Sequence, residues 1–326
     1  MATAAVATYD LLCIDARQET DRICAWIRDT VVNRFKRRGV VVGISGGIDS
    51  SVVAALCARA LGPDHVQGLL MPESDSSVDS TRLGRLLTER FGIRTILEDI
   101  APILQAVGCY SRRDDAIRTV VPEYDESYRS KIVLPNLLNK AALPIFSIVV
   151  QSPNGTTRKL RLPLDAYLTI VAATNFKQRT RKMMEYYHAD RLNFAVAGTP
   201  NRLEYELGFF VKNGDGAADL KPIAHLYKSQ VYQLAEFLGV PEEIRRRPPT
   251  TDTYSLEQTQ EEFYFAMPLA TLDLCLYGKN HGMYPGELAT ISGLEADQVA
   301  NAYASIDSKQ RVVNYLGSPP LTIDAH

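Results

Sequence analysis

Hydrophobic positions in this chain alternate between two rhythms, a helical stripe and a short unbroken run. Across residues 9–36, Leu12, Ile23, Trp26, Ile27 and Val31 recur at the spacing that buries one face of a helix. Gly39 ends the stripe, and residues 40–44 form an apolar run that reads as a buried strand. Helical spacing resumes over residues 49–61 until Gly62-Pro63 breaks it. A strand over 66–71, a helix over 77–91, a strand over 93–97 and a helix near 100–107 continue the alternation. The pattern predicts an α/β fold, a doubly wound parallel sheet flanked by helices, whose ligands bind at the carboxyl ends of the strands.

Residues 109–163 interrupt this rhythm. Residues 111–115 are polar and expected to be exposed. Runs at 145–151 and 156–162 flank Ser152-Pro153-Asn154-Gly155, and Asn-Gly between two alternating runs is a strong hairpin signal. An inserted β-hairpin is therefore expected. Helix returns over 165–188 with Asp165 placed to cap it, then a strand over 192–197 ends at Gly198-Thr199. A helix over 226–238 closes at Gly239, a short helix starts at Pro241, and a last helical stretch covers 298–314. No repeat or low-complexity linker divides the chain, so residues 1–326 read as one domain with an insertion at 109–163.

The chemistry begins where the first strand ends. Val40-Val41-Val42-Gly43-Ile44-Ser45-Gly46-Gly47-Ile48-Asp49-Ser50-Ser51 reads as a strand, a glycine turn and a helix start. Glycine lets backbone approach a ligand closely, and N–H groups at such a turn and helix N-terminus attract phosphate. Ser45, Ser50 and Ser51 add hydroxyl donors. A carboxylate at Asp49 repels phosphate unless a cation lies between them, so the loop predicts a Mg²⁺-bound nucleotide held mainly by its pyrophosphate part. Neither GxxxxGK[ST] nor GxGxxG occurs, which sets aside the common P-loop and the dinucleotide fingerprint.

Bulk composition narrows the setting. Of 326 residues, 46% are hydrophobic and 23% charged, and a net charge of −2 offers no field that favours nucleic acid. The run Arg245-Arg246-Arg247 reads as a solvated helix end. Five scattered cysteines without a CxxC pair argue against a disulfide framework or a zinc or iron–sulfur site, and Cys24 and Cys57 read as core thiols. Residues 1–8 lack the basic flank of a signal sequence, and no window approaches a membrane span. A reducing, cytoplasmic setting is expected, with no nucleic-acid or membrane partner.

A second polar cluster follows the strand at 192–197. Gly198 to Asp219 reads GTPNRLEYELGFFVKNGDGAAD and gathers Thr199, Asn201, Arg202, Glu204, Lys212, Asp215 and Asp219. Taken alone, Asp215 is a turn residue, since Asp before Gly is ordinary turn chemistry. Lys228, in Leu226-Tyr227-Lys228-Ser229-Gln230, reads equally well as a solvated surface lysine. Taken together the motifs say more. SGGIDS resembles the SGGxDS loop of the ATP-pyrophosphatase superfamily. With the second cluster, Lys228, and the NxKxRxR element Asn175-Phe176-Lys177-Gln178-Arg179-Thr180-Arg181, the chain resembles the ammonia-dependent NAD synthetase family from about residue 9 to residue 278.

That resemblance implies residue roles. Gly43, Ser45, Gly46, Gly47, Asp49, Ser50, Ser51, Thr199, Lys228 and Thr250 would contact ATP, and Asp49 and Glu204 would hold Mg²⁺. Asn175, Arg179, Lys212, Asp219 and Lys309 would grip the second substrate. Asp49, Lys228 and Asp215 would be catalytic, with Asp215 beside the ammonia site. The implied reaction adenylates the carboxylate of nicotinic acid adenine dinucleotide, releasing pyrophosphate, and ammonia then displaces AMP to give NAD. A dry site protects the adenylate, and loops near 73–79 and 247–260 are the expected lids. The synthetase-like core begins within the first forty residues, so free ammonia, or ammonia from a separate glutaminase, is expected. The family also implies a homodimer.

Three features depart from the family pattern on the acceptor side. The 109–163 region is longer than expected for a small NAD synthetase, and Ser308-Lys309 stands where the family often has a His-Lys pair. Residues 248–265 keep a Pro-Thr-x-Asp core and then diverge, with Tyr254, Phe263, Tyr264 and Phe265 either lining an acceptor pocket or packing a core. A second reading therefore stays open: the same chemistry on another carboxylate, such as a sugar acid or pathway intermediate. A tRNA-modifying relative predicts a basic surface or catalytic cysteines, and a non-catalytic one predicts loss of Asp49, Glu204 or the loop glycines. The sequence fits neither.

Overall fold

A computed structural model describes residues 11–134, 146–251 and 253–323. The stretch 1–8 and the expected element ends at Tyr9 and Ile145 lie outside the described residues. The chain enters through α1 (Ala16–Arg28), whose cap is the Asp15 carboxylate, accepting from the Gln18 N–H at 2.9 Å. The helix widens into a π turn over Asp29–Arg34. Ile23, Cys24, Ile27 and Val31 are buried as expected, but Trp26 is 46% exposed. It sits about a quarter-turn off the buried face. Leu12 precedes the Asp15 cap and packs into a separate cluster with the C-terminal helices.

The first half continues through β1 (Val40–Gly43), α2 (Ile48–Leu61), β2 (Val66–Leu70), α3 (Val78–Phe91), β3 (Arg94–Leu97), α4 (Ala101–Ala106) and α5 (Cys109–Arg118). Then come β4 (Arg129–Val133), β5 (Ser147–Gln151), β6 (Thr157–Arg161), α6 (Leu164–Leu192) and β7 (Ala195–Ala197). The remainder is helical: α7 (Arg202–Leu207), α8 (Lys228–Leu238), α9 (Glu242–Arg246), α10 (Leu269–Asn280), α11 (Pro285–Ser292) and α12 (Ala296–Leu316).

Four strands form the parallel sheet, in the order β3-β2-β1-β7. Successive side chains of β1, β2 and β7 enter different cores, because the pleat alternates them, while the edge strand β3 is mostly exposed. Val40, Val42, Ala195 and Ala197 pack with α1, α2, α3 and α8, whereas Val41, Leu69 and Val196 pack toward α4, α5 and α6. Both faces are therefore covered, as the apolar runs predicted. The chain leaves β1 for β2 and β3 on one side, and then returns to place β7 against the other edge of β1. The crevice at the carboxyl ends of β1 and β7 is thus a topological switch point, the place where such sheets bind ligands.

The insertion differs from expectation in two respects, and the helix that follows it in a third. The predicted hairpin is present as β5 and β6, paired from Ser147↔Arg161 to Gln151↔Thr157. However, β4 adds a third antiparallel strand against β5, which its mixed sequence Arg-Ser-Lys-Ile-Val did not announce. Residues 111–115 lie in α5, and Arg113 is buried because it pairs with Asp75 and Asp114. Asp165 is not the cap of α6; Pro163 holds that position, and Asp165 sits in the first turn, where its charge meets the helix dipole. Ile132, Ile148 and Val150 of the small sheet pack on Ile117 and Ile170 of α5 and α6.

Candidate active site

The switch-point crevice opens into a cavity of about 770 Å³, within the range of roughly 300–1,000 Å³ usual for small-molecule sites. The loop leaving β1 is shaped by what cannot fit. A Cβ at Gly43 would lie 2.7 Å from Glu185 Oε1. Gly46 has φ +74°, and a Cβ there would meet the Ser80 carbonyl oxygen at 2.5 Å. Gly47 then starts α2 with no side-chain cap, which leaves first-turn N–H groups for a ligand. The Ser45 and Ser50 hydroxyls are 3.1 Å apart, and the buried Ser51 hydroxyl donates back to the Gly47 carbonyl at 2.8 Å. Gly46 and Ser51 shape the loop from behind, while Gly43, Ser45, Gly47, Asp49 and Ser50 line the cavity.

Three elements bring charge to this loop. Asp49 comes from the first turn of α2, Glu204 from α7, and Lys228 is the first residue of α8. The Lys228 ammonium pairs with Asp49 Oδ2 and is 3% exposed. Asn201 Nδ2 donates to Asp49 Oδ1 at 3.1 Å, and the Asn201 N–H donates to Glu204 Oε2 at 3.2 Å. Gln260 Nε2 donates to Glu204 Oε1 at 2.9 Å. The start of α8 is fixed from another helix: the buried Asp273 carboxylate of α10 accepts from the Lys228 N–H at 3.0 Å and the Ser229 N–H at 2.7 Å. Lys228 is thus no solvated surface lysine.

Glu204 is partly open to the cavity but densely surrounded by protein. Burial, then the Asp49 charge, pushes its carboxyl up to about 8. Burial disfavours the Lys228 ammonium, but Asp49 and Glu204 more than offset this and hold its pKa above the ordinary value. One cation serves two carboxyl groups, so ionising both would leave negative charge facing the cavity. Such a pair offers hard oxygen donors that suit a hard divalent cation. No group of three or more His, Cys, Asp or Glu ligands occurs among the described residues, so phosphate oxygens and water would complete the shell.

Thr199, Thr250, Asn175, Arg179, Lys212 and Asp215 line the same cavity. Arg179 Nε donates to the Lys212 carbonyl at 3.3 Å, and Lys212 Nζ donates to the Tyr315 carbonyl at 2.9 Å. Asp215 Oδ1 accepts from the Val211 N–H at 2.7 Å, and burial raises its carboxyl. Asp219 and Lys309 stand outside the lining. Asp219 accepts from the Val196 N–H at 2.7 Å and the Tyr186 hydroxyl at 3.2 Å, and the Lys309 ammonium lies 5.0 Å from the Tyr264 ring centre.

Sequence reasoning missed several lining groups. Gln178, Lys182 and Glu185 continue the Asn175–Arg179 face of α6, with Lys182 paired to Glu185 at 2.5 Å. Their polar recurrence at helical spacing was the available signal. Arg246 is solvated and paired with Glu242, but Arg247 lines the cavity and donates to Ser80 Oγ at 3.2 Å. The aromatic segment divides: Tyr254 and Phe265 pack in cores, whereas Phe263 and Tyr264 line the cavity.

A parallel α/β sheet with a phosphate-attracting loop at its switch point defines a nucleotide-using enzyme class. The family model for NAD synthase matches residues 19–123 and 140–311. An NH3-dependent NAD(+) synthetase of Mesorhizobium japonicum is 59% identical over 311 residues, covering 95% of this chain and 98% of the relative. One of Rhizobium meliloti is 58% identical over 315 residues, covering 97% and 94%. The solved NH3-dependent NAD synthetase of Campylobacter jejuni shares the fold, with a TM-score of 0.62 at 22% identity, covering 95% of this chain and 100% of that one. The chain belongs to the NAD synthase family.

Proposed function

We propose that the protein is an ammonia-dependent NAD synthetase, converting nicotinic acid adenine dinucleotide, ATP and ammonia to NAD, AMP and pyrophosphate. One observation carries the reading: the α2 N-terminus, Asp49, Glu204 and Lys228 meet in one cavity, in a chain 59% identical to an NH3-dependent NAD(+) synthetase.

A carboxylate resists ammonia because oxide is a very poor leaving group. In the first step a carboxylate oxygen attacks the α-phosphorus of ATP, the bond to the β-phosphate oxygen breaks, and pyrophosphate leaves with the electron pair. The α2 N–H groups and the Ser45 and Ser50 hydroxyls hold the departing phosphates, with Thr199 and Thr250 on the nucleotide. Lys228 offsets the charge that moves onto pyrophosphate. Asp49 and Glu204 would hold Mg²⁺, which when bound screens the phosphates and favours pyrophosphate departure.

In the second step the ammonia lone pair attacks the acyl carbon, AMP leaves with the carbon–oxygen pair, and a proton must depart. Asp215, with its carboxyl raised by burial, lines the cavity as an acceptor for it. Asn175, Arg179 and Lys212 orient the dinucleotide, and the apolar wall of Phe263, Tyr264 and Leu316 keeps water from the adenylate. The same reading makes the protein a cytoplasmic homodimer supplied with free ammonia or served by a separate glutaminase. Family resemblance supports this, and Met183 and Tyr187, exposed one turn apart on α6, offer apolar surface to a second copy.

The test is product analysis with nicotinic acid adenine dinucleotide, magnesium ATP and ammonium. Equal amounts of NAD, AMP and pyrophosphate are expected. Folded enzyme that releases pyrophosphate with a different acid, and makes no NAD, would replace this reading.

A further inference from the structure

Lys177 is fully buried and does not line the cavity. Its three ammonium protons have three acceptors: Glu73 Oε1 at 2.9 Å, Asp75 Oδ2 at 2.6 Å and the Thr253 carbonyl at 2.7 Å. The Tyr110 hydroxyl donates to Glu73 Oε2 at 2.8 Å, and Arg113 pairs with Asp75. The Lys177 and Glu73 side chains are sealed from solvent, so neither is placed to touch a substrate.

What the cluster joins gives it a purpose beyond its own charge balance. Glu73 and Asp75 belong to the turn after β2, whose Pro72 and Ser76 wall one side of the cavity. Thr253 belongs to the segment after α9, whose Thr250 and Thr251 wall another. Two carboxylates already satisfy two of the Lys177 donors. The third N–H bonds a backbone carbonyl and so crosses from one wall to the other. A further tie joins α3 to the segment after α9, where the Arg247 guanidinium donates to Ser80 Oγ at 3.2 and 3.3 Å.

We propose that Lys177 is a positioning residue that locks the turn after β2 to the wall formed by Thr250, Thr251 and Thr253, so that both sides of the cavity become ordered together. The catalytic consequence rests on the ATP reading above; the coupling itself does not.

Hydrogen exchange of the full-length, ligand-free protein tests it with two variants. Lys177→Met keeps the chain length and removes all three donors. Asp75→Asn keeps an acceptor oxygen and disturbs the cluster more gently, so it reports even where the first variant fails to fold. In Lys177→Met, amide exchange in the turn after β2 and at Thr250, Thr251 and Thr253 should rise together by about tenfold, equivalent to about 1.4 kcal/mol. A smaller parallel rise is expected for Asp75→Asn, while β1 and α2 stay protected. KM for magnesium ATP should rise more than kcat falls. Faster exchange confined to the turn after β2, a uniform rise across the sheet, or no change in Asp75→Asn overturns the coupling. Coupled exchange without any ATP turnover supports the tie and counts against the functional reading alone.

Discussion

Two buried ion clusters flank one cavity, and their charges are satisfied differently. Asp75 has two cations against it, Lys177 and Arg113. Burial raises its carboxyl, but those cations more than offset the effect and hold it below the ordinary carboxylate value. Among the described residues Glu204 accepts from neutral donors, the Gln260 amide and the Asn201 N–H, and shares the Lys228 ammonium with Asp49. Its carboxyl is driven the other way. A satisfied cluster sealed from solvent fixes architecture. An under-compensated cluster on a cavity wall awaits positive charge from outside, and perturbed groups of that kind mark functional sites.

The largest effect expected from breaking this contrast belongs to Lys228→Met. It removes the one cation from the cavity cluster, and pyrophosphate release should fall by about 10²–10³-fold, as when one preorganised electrostatic partner is lost. Activity within tenfold of the parent would show that Lys228 serves only to balance Asp49. Asp49→Asn comes next. It should leave the fold intact and raise the magnesium needed for half-maximal pyrophosphate release by about 10- to 100-fold; an unchanged magnesium titration would overturn the proposal that Asp49 binds the metal.

The pH dependence follows from the direction of the Glu204 shift. In metal-free protein the folded-state value is about 8 against an ordinary 4.5, so the native state holds the proton across that window. Stability contributed by that proton is present below the ordinary value and is lost as pH rises toward about 8, by at most ~1.4 kcal/mol per pH unit. Asp75 has the opposite sign: its contribution is present above the ordinary 3.8 and lost as pH falls through its lower native value. Urea midpoints across pH should therefore show a decline that Glu204→Gln flattens; a slope unaltered by that substitution contradicts the assignment. The smallest effect expected is that of Asp273→Ala, which uncaps the first two N–H groups of α8. It should cost about 1–2 kcal/mol of unfolding free energy, the scale of a lost helix cap, and a melting temperature identical to the parent would dismiss that role.

Much of the architecture was legible in the residues. Val40 to Ile44 is apolar without alternation, and Val66 to Met71 nearly so with Gln67 its one polar residue, because both faces of these strands are covered; the breakers at Gly62-Pro63 and Gly239 end helices where expected, whereas the first helical stretch closes at Arg34, before Gly39. The hairpin at β5 and β6 followed from Asn154-Gly155, whose glycine has φ +84°. β4 escaped notice because its partners are distant and its own pattern is mixed. Arg113 escaped because a charged residue in a polar run reads as solvated until its buried partner, Asp75, is known.

The sequence by itself determined the glycine turn after β1. Its parts lie within a dozen residues, and its shape follows from glycine dihedrals, serine hydroxyls and an uncapped helix start, all of which act locally. Only the tertiary structure decided that Asp49 meets Lys228, 179 residues away, and that Glu204 is left without a cation of its own. It also decided that Lys177, read within a polar element, is sealed between two cavity walls. Charge pairing depends on which groups packing removes from water together, and no short window of sequence carries that information.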